Sequence, residues 1–410
     1  MMRRFLMLVA GLLVSACAGV AAPDKQAAPD WQLVSAKEIA DARHIVMTVS
    51  RQDPAALAAL AERFERDHPL VLVAEWPLAS IDVHCFVFRI EEGIETEAAL
   101  AALRRDARVR TVQRMNQFVV STTPPDTDLT TLQPDPDLRN LRRVHAVATG
   151  KGARIGVVDT QPDAAHPELS GKVVLARDFV AARNAGRPGP EAHGTAVSGV
   201  IAAEARDGLG IVGVAPDASL LALRACWEPA TGSGAGGKGV CSSFSLARAL
   251  NFALGQDVHI LNLSISGPED PLLAELIEVA RRKGIVMVAA RGGAAEPGFP
   301  ASAPGVLAVT TRGDPAGGAA LRAPGLDVIS TAPAGAYDFF SGSSIAAAYV
   351  SGVAALLVER GSNLQTVALR EALLGGEGAS ADTVSACLAV NSTLPAAERL
   401  RCDLEGAVLQ

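Results

Sequence analysis

Three short segments of this 410-residue chain carry a carboxylate, an imidazole and a hydroxyl, each set among residues suited to burial. GVVDT presents Asp159, HGTAVSGV runs from His193 to Val200, and SGSSIAAAYVSG runs from Ser341 to Gly352 and contains Ser344. A serine hydroxyl is a weak nucleophile. It needs a base to take its proton, and the base needs a third group to hold its tautomer and stabilise its charged form. Asp, His and Ser make up such a set, and the chemistry they suit is acyl transfer. Any one of them alone would read as a solvated or core residue.

The elements that must position them are legible in the flanking residues. Ala153, Ile155, Gly156, Val157 and Val158 predict a buried strand that delivers Asp159 at its carboxyl end, where open α/β sheets place their sites. His193 opens a helix of small residues. Gly342, Ser343 and Ser344 precede the small and aliphatic run from Ile345 to Leu357, which predicts a buried helix with Ser344 at its positive end. The chain order Asp, His, Ser separates this set from hydrolase folds that run His, Asp, Ser or Ser, Asp, His.

This order and these motifs resemble the subtilases, the subtilisin-like serine peptidases. HGTAVSGVIAAEARDGLGIVGVAPDASLLALRAC is similar to the family's HGTHVAG helix and the GVAP strand entry that follows it. ILNLSISG, from Ile260 to Gly267, resembles the strand beside the substrate backbone, and GFPASAPGVLAVTT the segment after the oxyanion loop. The similarity runs from about Leu141 to Leu357. It implies a mostly parallel sheet with helices on both faces, and hydrolysis of peptide or protein substrates with Ser344 as nucleophile, His193 as base and Asp159 as its orienting carboxylate. Ser343 falls at the family's threonine, and Ala348 and Tyr349 replace its Pro-His pair.

Two departures bear on activity. The family places an Asn side chain after an Ala-rich strand to donate to the tetrahedral oxyanion; VMVAARGG has Gly293 there. The backbone N–H of Ser344 remains, and Arg291 is a candidate to compensate, the alternative being a surface arginine paired with a carboxylate or water. Gln161 replaces a Gly beside the aspartate and requires a different backbone or a roomier turn. His166 matches a family position outside the triad and is expected to be structural. A catalytically impaired subtilase fold used as a binding or scaffold protein is therefore the competing expectation.

Upstream, Ile45 to Val49 predicts a strand, Asp53 and Pro54 a helix start, and Leu57, Leu60, Ala61 and Phe64 its apolar face. Strands over 70–76 and 83–90, a helix over 96–106 and a strand over 109–120 complete a ferredoxin-like βαββαβ order. Resemblance to subtilase propeptides implies a folding chaperone and temporary inhibitor; a permanent accessory domain is the alternative. The expected organisation is a signal peptide over 1–16, a tether over 17–42, this α+β unit over 43–121, a processing linker over 122–140, the peptidase domain over 141–375 and a C-terminal tail over 376–410, to which no chemistry is assigned.

Arg3 and Arg4 precede an apolar run, Phe5 to Val14, too short to span a bilayer but long enough for a signal-peptide core. Val14 to Cys17 then resembles the bacterial lipobox, which implies lipidation of Cys17 and, with Ala18 following, an anchor at the periplasmic face of the outer membrane; ordinary cleavage near Ala21 or Ala22 is the alternative. Of the other cysteines, Cys226 and Cys241, and Cys387 and Cys402, share a separation of 15 and predict two local disulfides, with buried free thiols as the alternative. Cys85 sits in an apolar run and is expected in the core. No Cys or His pair has metal-ligand spacing, catalysis requires no cofactor, and no ligand set is specific enough to assign structural calcium. A net charge of −7 argues against nucleic acid. Gly232, Gly234 and Gly237 satisfy G-x-G-x-x-G, but no strand leads in, so a nucleotide site is disfavoured.

Overall fold

The computed structural model describes residues 43–120, 135–180, 189–204, 210–229, 239–293, 298–314, 319–362, 365–375 and 382–402. The signal segment, Cys17, the tether, most of the processing linker and the 232–237 glycines lie outside the described residues.

The first unit is built by β1 (His44–Ser50), α1 (Pro54–Asp67), β2 (Leu70–Leu78), β3 (Val83–Ile90), α2 (Thr96–Leu103) and β4 (Thr111–Arg114). Helix α1 starts where Pro54 supplies a preset φ and Asp53 Oδ1 accepts from Ala56 N at 2.9 Å. The sheet is antiparallel with order β2-β3-β1-β4, the ferredoxin-like arrangement. Its central strands are buried at nearly every position because both faces are covered. Ile45, Met47, Val49, Phe86 and Phe88 point to α1 and α2, whereas Val46, Val83, Cys85 and Val87 join a core in the rest of the molecule. Burial, with Asp270 adding to it, pushes the Cys85 thiol up to about 12.

The strand expected over 109–120 is two strands. β4 ends at Arg114, and β5 (Gln117–Val120) leaves for a different sheet.

After α3 (Pro136–His145) comes a parallel sheet, formed by β6 (Arg154–Asp159), β7 (Val173–Asp178), β8 (Ser219–Arg224), β11 (Ile260–Leu263), β13 (Val286–Ala290), β14 (Val306–Thr311) and β15 (Leu321–Ala323), in the order β15-β14-β13-β11-β6-β8-β7. Between these lie α4 (Ala192–Ala202), β9 (Cys226–Trp227), β10 (Val240–Ser242), α5 (Ser243–Ala253), β12 (Ile265–Ser266) and α6 (Pro271–Arg282). A hairpin, β16 (Val328–Ala332) and β17 (Ala336–Phe340), leads into α7 (Ser343–Glu359), followed by α8 (Thr366–Leu373) and α9 (Ala386–Asn391). Ile155 and Val157 of β6 face α4 and α7, while Val158 faces the side of α5 and α6. Helix α7 is buried from Ser343 to Leu357, as expected of a helix without a polar face.

The first unit lays its second sheet face on α5 and α6. Ser80 N donates to Asn251 Oδ1 at 3.0 Å, Arg110 pairs with Glu275 at 2.8 Å, and the Arg248 guanidinium lies 4.3 Å from the Trp76 ring. Arg248 is buried, and desolvation brings it down to about 10. At the other end α9 packs against α3 and α7. Its disulfide, Cys387–Cys402, is formed, and Tyr349 Oη accepts from Ala386 N at 2.9 Å. The tyrosine that replaces the family's histidine thus fastens the serine helix to the C-terminal segment, and burial holds its hydroxyl well above the ordinary range.

Candidate active site

Asp159 ends β6 and is fully buried; its Oδ1 accepts from Thr160 N at 2.6 Å and from His193 Nδ1 at 2.7 Å. A carboxylate only accepts, so the proton lies on Nδ1 and the lone pair of Nε2 is left for a base. Nε2 is buried and has no hydrogen-bond partner among the described residues.

Ser344 is the second residue of α7 and is fully buried. Gly342 caps that helix with a φ of 146°, a conformation side chains resist, so the turn that aims Ser344 depends on glycine. Ser264 Oγ donates to the Ser344 carbonyl at 3.0 Å, and Asn262 Nδ2 donates to Ser351 Oγ at 3.0 Å, so β11 and its continuation hold the helix. The neighbouring Ser343 is engaged differently. Its Oγ donates to the Arg291 carbonyl at 2.6 Å, tying the end of β13 to the start of α7. The Arg291 side chain is buried. Gly293 lies outside the left-handed region, and a Cβ added there would meet no atom within 4 Å among the described residues.

Helix α4 brings His193 in without a local capping residue. Glu191 is at the cap position, but its side chain makes no cap bond. The first-turn N–H groups are instead satisfied from elsewhere: His193 N donates to Glu228 Oε1 at 2.8 Å, and Gly194 N to Thr160 Oγ1 at 2.9 Å. The Glu191 carboxylate accepts from Gln161 N, Glu228 N and Arg224 Nε at 2.9, 2.9 and 2.8 Å. Glu191 N returns a bond to Gln161 O at 2.7 Å, so the chain turns after Asp159 with no positive φ at Gln161. Arg224, 3% exposed, pairs with Asp178 at 3.1 Å on its other side. Burial works against its charge, but Glu191 and Asp178 more than offset that and hold its pKa above the ordinary value. Removing one partner of such a buried pair costs about 3–5 kcal/mol.

The expected site residues Asp159 and His193 are therefore joined directly, with Ser344 at the start of the buried helix. His166 is structural: its Nε2 contacts the Ala336 carbonyl at 3.0 Å and its ring meets Tyr337 edge-on. Glu191, Arg224 and Glu228 were not legible as site residues. The one signal was Arg224, a single cation ending the apolar run LLALR, which in a buried strand calls for a carboxylate partner.

The chain's own β5 lies between β12 and β10 in a four-stranded antiparallel sheet of order β12-β5-β10-β9, filling the cleft between those two strands. Gln117, Phe118 and Val119 register with Ser242, Cys241 and Val240, and Val119 and Val120 with Ser266 and Ile265. The disulfide Cys226–Cys241 is formed and staples β9 to β10, the cleft edge.

Residues 150–382 match the sequence model of the Subtilase family. Thermitase from Thermoactinomyces vulgaris is 32% identical over 257 residues, 60% of this chain and 88% of that protein. A thermophilic serine proteinase from Bacillus sp. (strain AK1) is 32% identical over 300 residues, 70% of this chain and 72% of that protein. Among solved structures, fervidolysin from Fervidobacterium pennivorans, described as a keratinolytic enzyme related to subtilisin, is similar with a TM-score of 0.65 and 22% identity. That likeness covers 90% of this chain but 62% of fervidolysin, and it speaks to the fold.

Proposed function

The chain belongs to the subtilase family of serine peptidases, and on that premise we propose an endopeptidase that works through Asp159, His193 and Ser344 and is made as a self-processing proenzyme. The buried 2.7 Å bond from His193 Nδ1 to Asp159, which leaves Nε2 as the base, is the observation that carries this assignment. Ser344 Oγ attacks the peptide carbonyl while Nε2 takes its proton; the proton passes to the leaving amine as the tetrahedral intermediate collapses to an acyl-enzyme. Water then repeats the sequence and frees the acid. The oxyanion accepts from the Ser344 N–H at the positive end of α7, without the usual side-chain donor at position 293.

Substrates bind as β5 does, as the middle strand of the cleft, with main-chain bonds to β10 and β12. The ferredoxin-like unit serves as chaperone and temporary inhibitor because β5, the strand that follows its sheet, occupies this cleft. As part of the same proposal, the chain is exported and lipid-anchored through Cys17 at the periplasmic face of the outer membrane.

Gly293 favours one rival, a silent scaffold. Labelling with a fluorophosphonate separates the two: native protein is expected to take one label per chain and Ser344→Ala none. No label and no peptide turnover in the native protein would establish the scaffold instead.

A further inference from the structure

Two carboxylates and one buried arginine lie around the base of the proposed triad, and among the described residues the imidazole's hydrogen bond goes to Asp159 and to none of them. Glu191 binds the turn after Asp159 through Gln161 N, and it binds the segment after β9 through Glu228 N. Glu228 in turn holds the backbone N–H of His193 itself at 2.8 Å. Arg224 stands opposite Asp159 in the β6–β8 register and grips Glu191 with Nε and Nη2 at 2.8 and 3.2 Å, while its Nη1 pairs with Asp178 at 3.1 Å. The turn after Asp159, the start of the His193 helix and the segment beyond β9 are thus tied through one charged group.

We propose that Glu228, held in place by Glu191 and Arg224, is a positioning residue for His193, fixing the first turn of α4 so that the imidazole stays on Asp159. This rests on the peptidase assignment above. Two observations support it. Helix α4 has no cap of its own, so the N–H of His193 depends on this distant carboxylate. The same network also accommodates Gln161, whose amide N–H is held by Glu191. If the helix start drifts, His193 drifts with it, and a displacement of about 1 Å in a catalytic group costs on the order of 10²-fold in rate.

The test compares Glu228→Ala with Glu228→Gln. Gln retains a carbonyl oxygen that accepts from His193 N; Ala retains nothing. Processed native protein and both variants are assayed for kcat and KM on one peptide, with urea unfolding recorded on each variant in the Ser344→Ala background. Glu228→Ala is expected to lose about 10- to 100-fold in kcat with KM within about twofold, because His193 acts on chemistry rather than on substrate binding. Glu228→Gln is expected to recover kcat to within about threefold of native. Arg224→Met should lower kcat in the same direction, and if it fails to fold, the Glu228 pair still decides the matter. Equal kcat in native and Glu228→Ala protein overturns the proposal. So does an equal loss in Ala and Gln, or a loss carried by KM. Absence of turnover and of fluorophosphonate labelling in native protein would instead remove the peptidase assignment, a different failure from an active native enzyme indifferent to Glu228.

Discussion

Restoring a donor at position 293 is the most direct test of how this enzyme stabilises its transition state. Loss of one such donor costs about 10²–10³ in turnover, or roughly 2.7–4 kcal/mol, a figure set by subtilisin itself and so borrowed from a relative. The structure decides how much of it Gly293→Asn returns. Gly293 is outside the left-handed region, and a new Cβ meets nothing within 4 Å among the described residues, so the substitution adds no clash with them. Ordering the new amide costs roughly 1 kcal/mol of side-chain entropy. That is a factor of about 5, leaving an expected rise in kcat of about 20- to 200-fold. KM should stay within about twofold, because the contact forms in the transition state. Steady-state hydrolysis of a chromogenic peptide by processed protein measures both constants. A compensating Arg291 adds a second expectation: Arg291→Ala lowers kcat in the native background and much less once Asn is present. A folded, processed Gly293→Asn enzyme no faster than native, or one whose gain lies in KM, would refute the assignment of position 293 to the oxyanion site.

Other consequences are open to simple measurement. Ser344→Ala, purified free of other proteases, should accumulate as unprocessed chain, whereas native protein should yield a new N-terminus between about residues 122 and 126. Equal processing of both proteins would show that another enzyme cuts. Cys17→Ser should shift the protein from the membrane fraction to the soluble one, and unchanged fractionation would rule out the lipid anchor. His145, whose Nε2 contacts the Val214 carbonyl at 3.0 Å, is held by burial below its ordinary 6.5. The folded state therefore binds fewer protons than the unfolded chain, so this contribution to stability is complete above about pH 6.5 and declines as pH falls below it. Urea unfolding at pH 7.5 and 5 in the Ser344→Ala background should show a smaller loss for His145→Gln than for His145; equal losses would assign the acid sensitivity elsewhere.

Much of the site was readable because its reactive side chains interrupt runs that local patterning already makes buried strand or helix. Asp159 closes GVVD, His193 opens a small-residue helix, and Ser344 opens an apolar one, so each can be placed from its own segment. Pairing of Cys226 with Cys241 and of Cys387 with Cys402 followed from spacing, since a short loop limits the partners available. The apolar runs of β1 and β3 were readable, but not the reason for them: Val46, Cys85 and Val87 are buried against residues far along the chain. The split of the segment over 109–120 into two strands was likewise hidden, because β5 owes its conformation to β10 and β12, not to its own residues.

What the sequence by itself determined is the order of the three candidate reactive groups, the α/β pattern that carries them and which cysteines lie close enough along the chain for local disulfides. All of these are properties of residue type and short-range spacing. The tertiary structure alone decided what occupies the cleft, how Gln161 is accommodated, and that His193 is held by Glu228 through Glu191 and Arg224. Those depend on which strands lie side by side. A parallel sheet joins strands through crossovers of many residues, so the partners of a buried charge sit where no periodicity in the chain can point to them.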